Sequence, residues 1–341
     1  MCVMPRLFPV FLLCAVPAIA LVGLACNSNS SAPRPTPTTV QSKTVTVTPT
    51  VVVLPSAGPS ASTVVVLPSA GPSTSHSPSM SPDQVAAMQS LIQYYQAIAA
   101  QDYTTAYGRW ANHGQASGQT ENEFANGFAT TVQTLVQPGK PAIQSSGVDI
   151  PVDILSVVNN SAVQPLEQEV DRFTGTYHMK SEGGQEVIAS ADITKQPPAT
   201  EAAADVSDST TTLNSYYNAI NAGEYGRAYT YWSNNGESAS QSFPDFTLGF
   251  SRTTSVEAKF GEPSSGVAAG SVYATVSVVV IATQTDGSQQ SYCGSYVLRR
   301  SNVSPFGILG WRIEQANISP LASIPGPGQV DNLLAKNCGS S

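Results

Sequence analysis

Charge is scarce in this chain. Asp, Glu, Lys and Arg make up 11% of its 341 residues, and the formal net charge is -8. No basic stripe is available to neutralise a phosphate backbone, which argues against nucleic acid as a partner. Signatures of chemistry are missing too. There is no metal-ligand spacing, no glycine-rich phosphate loop, no nucleophile triad and no motif that asks for a cofactor. Histidine occurs only as His76, His113 and His178, and cysteine is nearly absent from the body of the chain. Cys2, Cys14 and Cys26 fall in the first 26 residues, which leaves Cys293 and Cys338.

What is present begins with a leader. In residues 1–26, Arg6 precedes an apolar run from Leu7 to Ala25, interrupted by Pro9 and Pro17. A short positive region, an apolar core and small residues before a cut site make an export signal. Residues 27–81 are Ser, Thr, Pro, Val and Gly with almost no charge, and VVVLPSAGPS occurs twice, at 51–60 and 64–73. Frequent proline removes backbone donors and favours extended polyproline conformations, so this stretch reads as a disordered linker. It spans roughly 40 Å as a coil and up to about 170 Å as a stiff spacer.

The rest is organised by a duplication. Residues 94–131 reappear 122 positions later at 216–253. In that register Tyr94, Tyr95, Ala97, Ile98, Tyr103, Ala106, Tyr107, Trp110, Gly114, Phe124, Gly127, Phe128 and Thr131 each meet the same residue type. Two copies of one domain follow, at 82–196 and 208–320, with a joint at 197–207 and a tail at 321–341. Each copy is of ordinary domain size.

Within a copy the hydrophobic period changes from helix to strand. Ser81, Pro82 and Gln84 form a helix start, and Val85, Met88, Leu91, Ile92, Tyr95 and Ile98 then recur at helical steps. Asp102 starts a short helix carrying Tyr103, Ala106, Tyr107 and Trp110. Thr120 and Glu123 make a capping box before Phe124 and Phe128. Strand-rich runs follow at 132–136, 148–158, 170–179 and 186–193, with Gly183 and Gly184 at a hairpin turn. Copy two repeats the order, with Ser242 before Phe246, a long β-branched run at 271–283, a turn at Asp286 and Gly287, and a return at 292–299. Trp311, Ile313 and Ile318 mark its closing strand. Tyr292, Gly294 and Tyr296 match Phe173, Gly175 and Tyr177. Helices followed by an antiparallel sheet define the α+β class.

The two remaining cysteines have two readings: a disulfide between Cys293 and Cys338, or two free buried thiols. A bridge would pin the tail across the sheet of copy two. The run Ile324-Pro325-Gly326-Pro327-Gly328 reads as irregular chain.

The pattern Y-Y-x-A-I-x-x-x-x-Y-x-x-A-Y-x-x-W, then F-x-x-G-F-x-x-T, then strands ending in Y-x-G-S-Y-x-L-R-R and W-R-I, resembles the nuclear transport factor 2-like superfamily. More narrowly, it is similar to the uncharacterised bacterial lipoproteins of that group. The resemblance implies two tandem cones, each a bent antiparallel sheet wrapped on three helices with a pocket at the open end. Such cones host ketosteroid isomerase-like and polyketide cyclase-like enzymes as well as non-catalytic binding modules, so fold does not choose function. The segment Leu21-Val22-Gly23-Leu24-Ala25-Cys26 resembles a lipoprotein box. It implies lipidation at Cys26, with retention of the leader as an uncleaved anchor as the other outcome. Either would place the domains on the extracytoplasmic face of the cell membrane.

The enzymes of the superfamily keep a carboxylate base, or a His and Asp pair, inside the cone. Neither copy carries that set at matching positions. Asn235 stands where copy one has His113, and Val297 where it has His178. The candidate ligand contacts are Tyr95, Tyr107 and Trp110 with Tyr217, Tyr229 and Trp232, for which core packing is the bland alternative. Asp102 and Glu224 read as caps, Asp149 and Asp153 as a solvated strand edge, and Arg299, Arg300 and Arg312 as an exposed strand end, with an anion site as the other reading. The leading expectation is a lipid-anchored, non-catalytic pair of binding domains for an envelope component, a protein or a small apolar ligand. An isomerase-like or cyclase-like enzyme and a structural envelope spacer are the alternatives.

Overall fold

A computed structural model describes residues 80–160, 167–198 and 205–339. Cys26 and the rest of the leader and nearly all of the linker lie outside them, as does His76. The fold is α+β, with two cones in tandem. In copy one, α1 (Pro82–Ala99), α2 (Tyr103–Gly108) and α3 (Glu121–Gly127) precede β1 (Thr131–Pro138), β2 (Ala142–Gln144), β3 (Gly147–Asn160), β4 (Glu167–Glu182) and β5 (Gln185–Gln196). Copy two runs through α4 (Asp208–Asn221), α5 (Tyr225–Tyr229), α6 (Phe243–Gly249), β6 (Thr253–Phe260), β7 (Ser264–Ala268), β8 (Ser271–Gln284), β9 (Gln289–Ser301) and β10 (Arg312–Pro320). A further helix, α7 (Pro327–Ala335), lies in the tail. The described residues include no helix long and apolar enough to cross a membrane.

The helices begin where local chemistry directs. Ser81 accepts from Gln84 N while the Gln84 side chain accepts from Ser81 N at 2.9 Å, and Thr120 and Glu123 repeat the arrangement. Asp102 Oδ1 accepts from Thr105 N at 3.0 Å, a cap that holds its carboxyl below the usual range. Glu224 does not cap; it pairs with Arg227 one turn on, at 2.7 Å.

Both sheets have the same order, β1-β3-β4-β5 and β6-β8-β9-β10, with β2 and β7 added beside β3 and β8. Those two added strands are too short to show a period in the sequence. β3 therefore has neighbours on both sides, and Asp149 and Asp153 do not lie on a strand edge. The β4/β5 and β9/β10 pairs each carry an irregularity, between His178 and Met179 and between Ile313 and Gln315. Beside each one the segment after α2 or α5 docks on the outer strand. Ile188 N donates to Arg109 O at 2.8 Å, and Ile313 N donates to Tyr231 O at 2.9 Å. These bonds fold the sheet around its helices.

The matched glycines of β4 and β9 have a steric reason. A Cβ at Gly175 would overlap the carbonyl oxygen of Asp192, and one at Gly294 that of Asn317. Backbone approaches this close are a known use of strand glycine. Gly294→Ala and Gly175→Ala are each expected to lower unfolding stability by about 1–3 kcal/mol. Urea titration of the single variants, giving midpoints equal to the parent, would remove this account.

The tail differs from the expectation of irregular chain. Gly326 donates to Gln329 Oε1 at 2.9 Å and Pro327 opens α7, so the run read as a breaker is a helix start. Cys293 and Cys338 form a disulfide with Cα atoms 5.6 Å apart. Leu321 N and Ser291 O at 2.8 Å, and Ser277 Oγ and Leu334 O at 3.1 Å, complete the fastening of the tail to β8 and β9.

Candidate functional site

Each cone is filled by its own aromatic residues. In copy one Tyr94 lies 6.3 Å from Trp110 and 6.0 Å from Tyr177, centroid to centroid, and Tyr95 lies 6.1 Å from Tyr177. The equivalents in copy two are 6.5 Å for Tyr216 and Trp232, 6.2 Å for Tyr216 and Tyr296, and 6.3 Å for Tyr217 and Tyr296. The segments around Trp110 and Trp232 thus fold alike. The phenols satisfy one another: Tyr95 Oη and Tyr177 Oη are 2.8 Å apart, and Tyr217 Oη and Tyr296 Oη are 2.7 Å apart. Desolvation by burial pushes all four well above the ordinary phenol range, so they stay protonated. Of the sequence candidates, Tyr95, Trp110, Tyr217 and Trp232 sit in this core and Tyr107 is half-buried, donating to Gln119 O at 2.9 Å. Tyr229 is buried too and donates to Gln241 O at 2.7 Å, but its ring also reaches a cleft between the copies.

That cleft is made by the way the copies meet. The contact is head to tail: α1 and β1 of copy one face α5, α6 and the turn at 237–239 of copy two. Met88 and Pro138 close so tightly on Gly226 that a Cβ there would stand 2.6 Å from Met88 Sδ. A second apolar patch joins Leu135, Val157 and Val170 of copy one to Phe306, Ile308 and Leu309 of copy two. The centre of the contact is Asn235, buried and held at φ +53°. Its Oδ1 accepts from Val136 N at 3.0 Å, its Nδ2 donates to Thr134 O at 3.1 Å, and its own carbonyl accepts from Gln96 Nε2 at 3.1 Å. The amide occupies the outer edge of β1 as one residue of a further strand would. Copy two closes the matching edge from within, since Asn221 accepts from Val256 N at 2.7 Å and donates to Val256 O at 2.9 Å. Copy one has Ala99 at that position, so the neighbouring copy supplies its amide.

The cleft has a volume of about 440 Å³. Gln89, Gln93 and Gln96 line it from α1, and Glu237, Ser240, Gln241 and Ser242 from copy two, over Ile92, Tyr229 and Phe243. Among the described residues the side chains of Gln89, Gln93, Glu237 and Gln241 hydrogen-bond to no other residue. Burial first, then Glu237 and Asp245, push the Tyr229 phenol up to about 12, so it too remains neutral. Sequence reading missed this site because its walls come from helices far apart in the chain. The row Gln89, Gln93, Gln96 at helical spacing was the one available signal.

Two other groups depart from expectation. Of the three arginines only Arg299 is exposed at its strand end; Arg300 is buried and donates to Gly307 O at 3.0 Å. Arg299 donates to Ser271 Oγ at 2.9 Å, and desolvation lowers the half-buried Arg312 to about 10. His178 lies on the outer face of its sheet between two acids, Nδ1 2.7 Å from Asp149 and Nε2 3.1 Å from Asp192, while Asp153 pairs with Arg172 at 2.6 Å. Thr275, Val297 and Asn317 stand at the matching places of copy two, so the cluster belongs to copy one alone.

Burial alone would lower the pKa of His178, but its hydrogen bonds to the Asp149 and Asp192 carboxylates outweigh that and raise it above 6.5. A raised folded pKa gives stability that is complete below the unfolded value and is lost as pH rises through the folded one. The parent is therefore expected to lose a small increment of stability as pH rises above the unfolded value of 6.5, a loss that His178→Gln lacks. Superimposable pH-stability curves for the two proteins would contradict the assignment.

The chain matches no protein-family model and no curated protein. Among solved structures it is similar to a nuclear transport factor 2-like superfamily protein from Salmonella enterica serovar Typhimurium. Identity is 15% and the TM-score 0.26, over 36% of this chain and 94% of that one. It is also similar to a nuclear transport factor 2-like protein involved in plasmid conjugation, with 10% identity, a TM-score of 0.22, and coverage of 70% of this chain and 95% of the other. At such TM-scores neither likeness decides anything about this chain. The duplicated cone stands on its own strands, helices and ring geometry.

Proposed function

We propose that the protein is a lipid-anchored extracytoplasmic lipoprotein whose two cones act together as a non-catalytic binding module, with the ligand seated in the cleft between them. The observation that carries this reading is the contrast between the two kinds of interior. Each cone is packed with phenols that bond to each other, while the cleft presents half-exposed amides and an exposed carboxylate whose side chains hydrogen-bond to no other described residue. Amides and a carboxylate gathered at the rim of a concavity, open to solvent and free to turn toward a ligand, support a binding site. The leader and the Ser, Thr and Pro-rich linker support the anchoring.

The test has two readouts on the full chain expressed in a bacterium that processes lipoproteins. Wild-type protein should partition into the detergent phase, and Cys26→Ser should leave it with the leader uncleaved or in the aqueous phase. A photo-crosslinking side chain placed at Gln93 should form a discrete adduct in intact cells, and one placed at Asp192 on the outer sheet face should not. Aqueous partition of the wild type sinks the anchor. Absence of any adduct at Gln93 sinks the binding site.

A further inference from the structure

We infer that the cleft between the copies takes an uncharged polyhydroxylated ligand, a short glycan of roughly one or two sugar rings. The inference rests on the binding reading above and specifies its ligand class. Its basis is the chemistry of the walls. A carboxamide offers donors and an acceptor side by side, and a sugar hydroxyl is donor and acceptor at once, so Gln89, Gln93 and Gln241 can each meet neighbouring hydroxyls in pairs. Glu237 adds a carboxylate, an acceptor for two further hydroxyls. Below them Ile92 and Phe243, both almost wholly buried, leave a small apolar floor that the C–H edge of a sugar ring can touch.

Other ligand classes fit less well. None of the lining residues is cationic, so nothing there would hold a phosphate or an acidic peptide. Lipids and steroids need mostly apolar walls, and here the amides and hydroxyls outnumber the apolar side chains. An extended peptide would need an unpaired strand edge, but the walls are helix and turn, and the nearby edge of β1 is already closed by Asn235. The cavity of about 440 Å³ sets the size.

Titration calorimetry and saturation-transfer NMR on the full chain, in a detergent without a sugar headgroup, would test this. The probes are cellobiose and chitobiose, with octanoate and an uncharged tetrapeptide for comparison. At least one disaccharide should bind with a Kd on the order of 1 mM. Gln89→Ala combined with Gln93→Ala should weaken it at least about tenfold, whereas Asp192→Asn, on the outer sheet face, should not change it. An unchanged thermal midpoint for the double variant keeps folding out of the comparison. Failure of both disaccharides to bind, or binding that the double variant leaves intact, overturns the glycan assignment. Octanoate or peptide binding lost in the double variant overturns it as well, yet leaves the binding module standing. The module itself falls only with the missing adduct at Gln93.

Discussion

Asn235→Ala is expected to destabilise the protein by about 3–7 kcal/mol. Three costs add. The Val136 N–H and the Thr134 carbonyl lose their partner at a buried strand edge, at about 1–3 kcal/mol for each unsatisfied group. Alanine must also adopt the left-handed backbone that asparagine accepts at φ +53°, at about 1 kcal/mol. Asn235→Gly relieves the backbone cost and retains the other two, so it should fall between parent and alanine. The loss should be uneven over the molecule, because the amide joins copies rather than elements within one. Hydrogen exchange should show the Val136 amide opening far more often while the Tyr217 and Tyr296 core stays protected. If denaturant midpoints of Asn235→Ala and parent coincide, the amide is a bystander and the copies are held by apolar contact alone.

Removing the disulfide ranks second. The bridge closes a loop of 45 residues, which by the chain-entropy relation contributes about 4 kcal/mol. Cys293→Ser with Cys338→Ser, or reduction of the parent, should lower the thermal midpoint and release α7, none of whose side chains is fully buried. Ser277 and Leu334 share a single hydrogen bond, too little to hold the tail against its conformational entropy. The outer face of β8 and β9 would then be uncovered. Protease should clip near residues 324–328 in the reduced protein and spare the oxidised one. Equal digestion rates in the two states would show that the tail is held by something other than the bridge.

Together these expectations describe a duplicated unit whose copies have diverged in complementary ways. Copy two closes its own β6 edge with Asn221 and lends Asn235 to copy one, where Ala99 cannot do the same. Such a head-to-tail contact would propagate between identical units. Here the chain presents a closed edge at β6 and His113 in place of the lending asparagine, so neither copy offers the same contact a second time. The cleft that we assign to a ligand exists because of this contact.

Much of the architecture was legible from residue order. The spacing of Tyr94, Tyr95, Tyr107 and Trp110, and its repeat 122 positions later, records a helical face packed against a sheet, and local rules govern that face. Ser81 with Gln84, Thr120 with Glu123 and the turn at Gly183 and Gly184 were readable for the same reason, since each acts within four residues. Glu224 and Gly326 show the limit of local reading. An acid before a helix can pair with Arg227 instead of the backbone, and a Gly and Pro run can begin a helix rather than forbid one.

The site lay beyond that limit. Asn235 bonds to residues 99 and 101 positions away, the glutamines of α1 face a turn of the other copy, and Asp149 and Asp192 meet His178 across two strand registers. None of these pairs shares a helix turn or a strand period. Sequence alone determined that there are two like cones and which residues fill them, because burial of an amphipathic face is encoded by spacing. Only the tertiary structure decided where a ligand has room, because that depends on how two finished surfaces dock and which polar groups the docking leaves without a partner.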